Sequence, residues 1–157
     1  MAQGSRIIAE ANPRGKFEEC IVYGTPKPGT VMQLRATAKV GGRFTYEVYA
    51  PGTNGEQRGV AVLLEDDLQG KLATDAYVSG TRGQVYWPVP GEELNMLMKD
   101  VAGTGDDHAV GDVLMVESGT GKLIVTTGSP EREPFVCLEA ATDPVADALL
   151  LCKYTGA

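Results

Sequence analysis

Apolar residues recur at every second position in several short runs of this chain, and glycines and prolines punctuate the stretches between them. Phe44, Tyr46 and Val48 alternate with Thr45, Glu47 and Tyr49; Val85, Trp87 and Val89 share one face; Leu94, Met96 and Met98 share another. A period of two places successive side chains on opposite faces of a pleated strand, so each run predicts a β-strand. Val31-Met32-Gln33-Leu34 is a further short candidate. Gly59 to Leu64 is nearly continuously apolar, as expected of a central strand covered on both faces. In Gly111 to Thr127, two β-prone runs flank Ser118-Gly119-Thr120-Gly121, which predicts a hairpin with Val113 and Met115 on one face and Leu114 and Val116 on the other. Phe135 to Ala140 follows the Ser129-Pro130 turn. The C-terminal end has two readings: a helix over Val145–Leu151 capped by Asp143-Pro144, or a strand through Leu149–Tyr154.

Residues 1–24 break the pattern. Ile7, Ile8, Phe17, Ile21, Val22 and Tyr23 are scattered among Arg14, Lys16 and other polar residues, and neither period is sustained. This stretch is expected to be an extended N-terminal arm, ordered only by lying on something else. Fixing about 22 residues costs on the order of 20–40 kcal/mol of backbone entropy, so an isolated monomer is not expected to hold it. Thr25-Pro26-Lys27-Pro28-Gly29 marks the turn beyond it, and residues 25–157 are expected to form a single β-rich domain.

The 20 glycines and 9 prolines among 157 residues favour many short strands and turns over long helices. The longest strongly apolar stretch, Ala148 to Cys152, is too short to span a bilayer, and the first residues lack the apolar core of a signal peptide. No membrane partner is expected, and the protein is placed in the cytoplasm or in a particle assembled there. The net charge of −7 is unevenly spread: residues 1–43 carry seven Lys or Arg against three Glu, whereas 44–157 carry seven bases against eighteen acids. So acidic a body repels nucleic acid, and no direct nucleic-acid partner is expected.

Candidate chemistry is sparse. Cys20, Cys137 and Cys152 are odd in number and widely spaced, which argues against a disulfide framework or a CxxC metal site and for buried or free thiols. Gly103-Thr104-Gly105 lacks the third glycine of a dinucleotide fingerprint, and Gly119-Thr120-Gly121-Lys122 lacks the first glycine and the hydroxyl of a phosphate loop. His108, near Asp106, Asp107 and Asp112, reads as part of a solvated loop tip, and Glu65-Asp66-Asp67 and Glu92-Glu93 as solvated turns. No catalytic, cofactor-binding or metal-binding residue is expected, and no enzyme. Trp87 is read as a core residue, with some tyrosines facing outward.

The order of glycine-centred elements resembles the head decoration (cement, or auxiliary capsid) proteins of tailed bacteriophages. It runs Pro28-Gly29-Thr30, Gly59 to Leu63, Gly80-Thr81-Arg82-Gly83, Pro90 to Met96, Gly111 to Leu114, Gly121-Lys122-Leu123 and Phe135 to Ala140. The resemblance covers about residues 25–154. It implies a compact small β-barrel or β-tulip-like domain that binds the outer capsid surface of the virion as a homotrimer at threefold and quasi-threefold sites. It further implies stabilisation of the shell against packaged DNA, with the arm (Ile7, Ile8, Arg14, Lys16, Phe17, Ile21, Val22, Tyr23) contacting the major capsid protein or neighbouring subunits. Two other classes stay open. One is a β-barrel enzyme with an inter-subunit site around His108, Asp106, Asp107 and Asp112. The other is a virion-surface host-recognition module displaying Tyr49, Tyr77 and Tyr86.

Overall fold

The computed structural model describes residues 6–9, 13–50, 60–70, 72–99, 107–125, 135–141 and 148–156. Ten strands and one short 3-10 turn (Asp67–Gln69) make up its regular structure, with no α-helix among the described residues. Strands β1 (Lys16–Val22), β2 (Val31–Leu34), β3 (Thr45–Val48), β4 (Ala61–Leu63) and β5 (Arg82–Trp87) close a barrel in the order β1-β3-β2-β4-β5. Strands β6 (Glu93–Leu97), β7 (Val113–Val116), β8 (Leu123–Val125), β9 (Phe135–Cys137) and β10 (Leu149–Tyr154) form a second sheet in the order β6-β10-β9-β7-β8. The chain is therefore all-β and built on a small barrel, as its periodicity predicts. The C-terminal segment is a strand over Leu149–Tyr154; of the helical alternative, residues 145–147 lie outside the described residues.

Strand β4 shows why the apolar run ending at Leu64 carries no alternation. Ala61 and Leu63 point into the barrel with Cys20, Val22, Met32, Tyr46, Tyr77 and Val85. Val60, Val62 and Leu64 point the other way, into a larger core shared with Leu94, Met96, Leu114, Phe135 and Cys152 of the second sheet. The barrel wall is thus one layer of a sandwich, and β4 is buried on both faces. In β7, Leu114 and Val116 face this core, while Val113 and Met115 are exposed. Trp87 packs edge-on against Tyr46 at 6.2 Å and lies partly buried on the barrel core, in line with the core role read for it.

The expected arm is where the sequence reading needs correction. Lys16–Val22 is β1, paired with β5 through six residues from Lys16↔Trp87 to Ile21↔Arg82, and with β3 in parallel at Ile21↔Thr45 and Val22↔Tyr46. Its inward face is Glu18, Cys20 and Val22, and its outward face includes Phe17 and Ile21, so a polar inward residue and apolar outward ones blur the alternation. Upstream, Ile7 is fully buried and Ile7–Ala9 runs along the outer edge of β6: Asn95 N–H donates to Ile7 O (2.7 Å) and Ala9 N–H to Glu93 O (3.1 Å). Ladder hydrogen bonds and core burial offset the entropy that argued for an arm. Among the described residues, no domain boundary falls at residue 24.

The two layers are joined at Gly29–Val31. Gly29 N–H donates to Leu63 O of the barrel (2.8 Å) and Leu97 N–H of β6 donates to Gly29 O (3.1 Å). Gly29 has φ 84°, and a Cβ there would stand 2.9 Å from Leu149 Cδ2 and 3.1 Å from Asn95 O, so the approach requires glycine. The second sheet also curls until its outer strands meet, with Lys99 N–H donating to Leu123 O at 2.9 Å beside a Met98↔Leu123 bridge.

Candidate functional site

Glu92 is 1% exposed, which corrects its reading as a solvated turn residue. Its Oε1 accepts the backbone N–H groups of Arg14 and Gly15, and its Oε2 accepts the Tyr86 hydroxyl (2.7 Å) and Val89 N–H (2.9 Å). Burial pushes the carboxyl pKa up, but the bonds from Arg14, Tyr86, Val89 and Gly15 outweigh it and hold the group below the ordinary glutamate value. All four oxygen contacts are structural: they tie the start of β1 to β5 and to the turn before β6. Glu65 and Asp66 also bond to backbone, Glu65 accepting Ile7 N–H (3.0 Å) and Asp66 accepting Leu68 and Gln69 N–H (3.1 and 3.2 Å).

The residues of the two open alternatives are placed differently from their expectations. His108 is buried rather than at a solvated tip, its backbone paired with Ala141 by reciprocal bonds of 2.8 and 2.9 Å. Neither ring nitrogen has a hydrogen-bond partner among the described residues. Asp112 accepts Ala109 N–H (2.7 Å) and so closes a turn, while Asp106 lies outside the described residues. No group of three His, Cys, Asp or Glu among the described residues is placed to hold a metal ion. Tyr49, Tyr77 and Tyr86 are all buried, so they form no outward aromatic patch; Tyr77 donates to Leu64 O (2.9 Å). A cleft of about 550 Å³ runs beside β4 and β5, its lining including Arg6, Glu19, Leu64, Glu65, Asp66 and Arg82, with no His or Cys among the described residues that line it.

Exposed apolar side chains are spread over several turns, Leu68, Leu72, Val78 and Val110 among them, and one group of four lies at one end of the barrel, on the β2–β3 connection and the end of β1. Val40 and Arg43 exchange backbone hydrogen bonds (3.0 and 3.1 Å) across Gly41 and Gly42, whose φ values of 56° and 80° give the two-residue turn that matches strand twist. Leu34, Val40 and Tyr23 are 51%, 56% and 46% exposed, and Phe44 joins them at 39%. Cations cover two of the rings, with the Arg35 guanidinium 3.5 Å above Tyr23 and Lys39 Nζ 4.1 Å above Phe44. Arg35 also pairs with Glu47 (3.4 Å) and Arg43 with Glu19 (2.7 Å), so the patch is amphipathic more than basic.

Of the eight residues expected to bind a partner, Ile7 and Val22 are committed to the core, and Ile8 and Ile21 are half-buried. Arg14, Lys16, Phe17 and Tyr23 face solvent, Phe17 with its ring 4.9 Å from that of Tyr86. Leu34, Val40 and Phe44 were not singled out from sequence. The Val-Gly-Gly-Arg turn was the available signal, since paired glycines between apolar residues mark an exposed hairpin tip.

Barrel, second sheet and surface define an all-β scaffold in which buried Glu92 and Tyr77 hold segments together. No protein-family model matches the chain, and no curated protein matches it in sequence. Among solved structures, the chain is similar in fold to the head fiber gp8.5 N base of bacteriophage phi29, with a TM-score of 0.54. The match covers 90% of this chain and 94% of that one at 13% sequence identity, so the likeness is one of fold and takes in both layers.

Proposed function

We propose that this chain is a structural protein of a bacteriophage virion, seated on the outer surface of the head. The observation that carries the reading is the fold likeness to a head fiber base over nearly the whole of both chains. The chain docks as a homotrimer at threefold and quasi-threefold positions, contacts the major capsid protein and strengthens the shell against the pressure of packaged DNA. Docking falls to the amphipathic end of the barrel, where Tyr23, Leu34, Val40 and Phe44 expose apolar surface beside Arg35 and Lys39. Three such tips on one trimer bind with avidity, because the first attachment raises the effective concentration of the others. A second reading follows from the neighbour's description as a base: the domain anchors an appendage to the head.

The test is co-sedimentation of the purified chain with heads of the encoding phage that lack it, joined to its mass in solution. Removing residues 1–24 would delete β1 and open the barrel, so the variants are Tyr23→Asp, Val40→Asp and Phe44→Glu. Saturable binding of a trimer, raised thermal resistance of the heads and at least tenfold weaker binding by Phe44→Glu are expected. Absence of wild-type binding overturns the reading, and equal binding by all three variants moves the docking face elsewhere. An added density projecting from decorated heads in electron micrographs selects the appendage variant.

A further inference from the structure

Two of the three cysteines are brought face to face by the fold. Cys137 on β9 stands opposite Cys152 on β10 in an antiparallel pair. The adjoining pair carries the hydrogen bond, from Leu138 N–H to Leu151 O (2.9 Å), whereas Cys137 N–H turns away to Asp112 O (2.8 Å). The cysteines therefore occupy a non-hydrogen-bonded position, where opposed Cα atoms approach to about 4.5 Å, within the span of a disulfide. Both side chains point into the core shared by the two layers and have no exposed surface. Cys20 serves as an internal control: it lies in the barrel core opposite Gly83, away from the pair.

We propose that Cys137 and Cys152 form an intrachain disulfide that latches the C-terminal strand β10 to β9 when the folded protein meets a peroxide. Hydrogen peroxide is little larger than water and suits a buried pair that a bulky disulfide oxidant does not reach. The Cys137 sulfur, as thiolate, attacks one peroxide oxygen; the O–O bond breaks, leaving a sulfenic acid and a hydroxide that takes up the proton Cys137 released. The Cys152 sulfur then attacks the sulfenic sulfur. The S–S bond forms, the S–O bond breaks, and the departing hydroxide leaves as water with the Cys152 proton. Two thiols are oxidised and one peroxide is reduced to two waters. A hydrogen bond from the Cys152 thiol, helped by one from the Glu139 backbone and opposed by burial and by the charges of Asp112 and Glu139, brings the Cys137 thiol down to about 7. Cys20, by contrast, is pushed up to about 12 by burial and by the charge of Glu18.

The latch is independent of where the protein docks and is tested on the full chain alone. Folded protein is treated with hydrogen peroxide, denatured, alkylated with N-ethylmaleimide and mapped by mass spectrometry. Labelling is expected to fall from three thiols to one, Cys20, with the tryptic fragment 133–153 lighter by two hydrogens. Cleavage after Glu139 should then give pieces that separate only on reduction. The melting temperature should rise by roughly 5–10 °C and return with dithiothreitol. Cys152→Ala and, independently, Cys137→Ala should abolish the rise; the wild-type map stands even if either variant folds poorly. Three labelled thiols after treatment, sulfinic acid at Cys137 beside free Cys152, or a link to Cys20 or between chains each overturns the proposal.

Discussion

Replacing Glu92 by glutamine tests whether one buried carboxylate fastens the start of β1 to the rest of the barrel. Each carboxylate oxygen receives two donors: Arg14 and Gly15 N–H on one side, Tyr86 O–H and Val89 N–H on the other. A glutamine of equal length must turn its amide NH₂ towards one of these pairs, setting donor against donor at Arg14 N–H on one side or at Val89 N–H on the other, while Gly15 N–H keeps its 2.7 Å bond to the Tyr86 hydroxyl oxygen and that hydroxyl can turn to accept. Hydrogen bonds to a charged acceptor contribute about 1.5–3 kcal/mol each, so losing one outright and weakening the others by removing the charge, in a site 1% exposed, costs about 3–5 kcal/mol. For a chain of this size that lowers the melting temperature by roughly 10 °C or more. The folded-state pKa of Glu92 is depressed, so its stabilisation is complete above the unfolded value of about 4.3 and is lost as pH falls through the lower folded value. The assay is urea denaturation of wild type and Glu92→Gln at pH 7 and at pH 3. The stability gap should be wide at pH 7 and narrower at pH 3, and the variant's Arg14 or Val89 amide should exchange faster with solvent. A gap under 1 kcal/mol at pH 7, or one unchanged at pH 3, would refute the reasoning.

Gly121→Ala should cost more than about 3 kcal/mol by urea denaturation, because φ is +64° and the new Cβ would meet Val31 O at 2.4 Å and Thr30 Cγ2 at 2.7 Å. Gly119→Ala, at φ +86° with nothing within 4 Å, should cost only the left-handed strain, about 1–2 kcal/mol. Tyr77→Phe removes a buried donor from Leu64 O and should lower stability by about 1–2 kcal/mol in the same assay, with the circular dichroism spectrum retained. Val40→Asp, on an exposed tip, should leave stability within about 0.5 kcal/mol of wild type, so any loss of binding reports on docking.

Strands with one apolar and one polar face were legible because burial writes its period directly into them, as in Leu94 and Met96 of β6 or Leu114 and Val116 of β7. Strand β1 was not, because its two faces mix: Glu18 shares the inward side with Cys20 and Val22, while Phe17 lies outside against Tyr86. The acidic pair Glu92-Glu93 looked like a turn because the backbone donors that make Glu92 tolerable in the core come from Arg14 and Gly15, far away in sequence. The buried tyrosines escaped for the same reason, since their hydroxyl partners, Glu92 for Tyr86 and Leu64 O for Tyr77, are set by tertiary structure. The hairpin tip at Val40 was within reach, marked by Gly41-Gly42, but its aromatic and cationic surroundings depend on β1 lying beside it.

Closure of the barrel and occupation of the β6 edge constrain how a partner is held. Recognition by strand addition needs a sheet edge with unpaired N–H and C=O groups. The barrel is closed, and along the outer side of β6 the N–H groups of Asn95, Leu97 and Lys99 go to Ile7 O, Gly29 O and Leu123 O in turn. Three separate segments therefore occupy that one edge, and the last joins it to β8, the strand at the opposite end of the second sheet. Strand addition along β6 is therefore blocked, which favours side chains and turns as the contact surface, and Tyr23, Leu34, Val40 and Phe44 are one group of exposed apolar residues available for it. Of these, Val40 lies at the tip of the β2–β3 connection outside the strands, so its side chain can change without touching the barrel, whereas Phe44 O accepts Ile21 N–H (2.9 Å) and a change within β1 disturbs the pairing that closes the barrel. Binding and folding are thus separable at the hairpin and inseparable in β1.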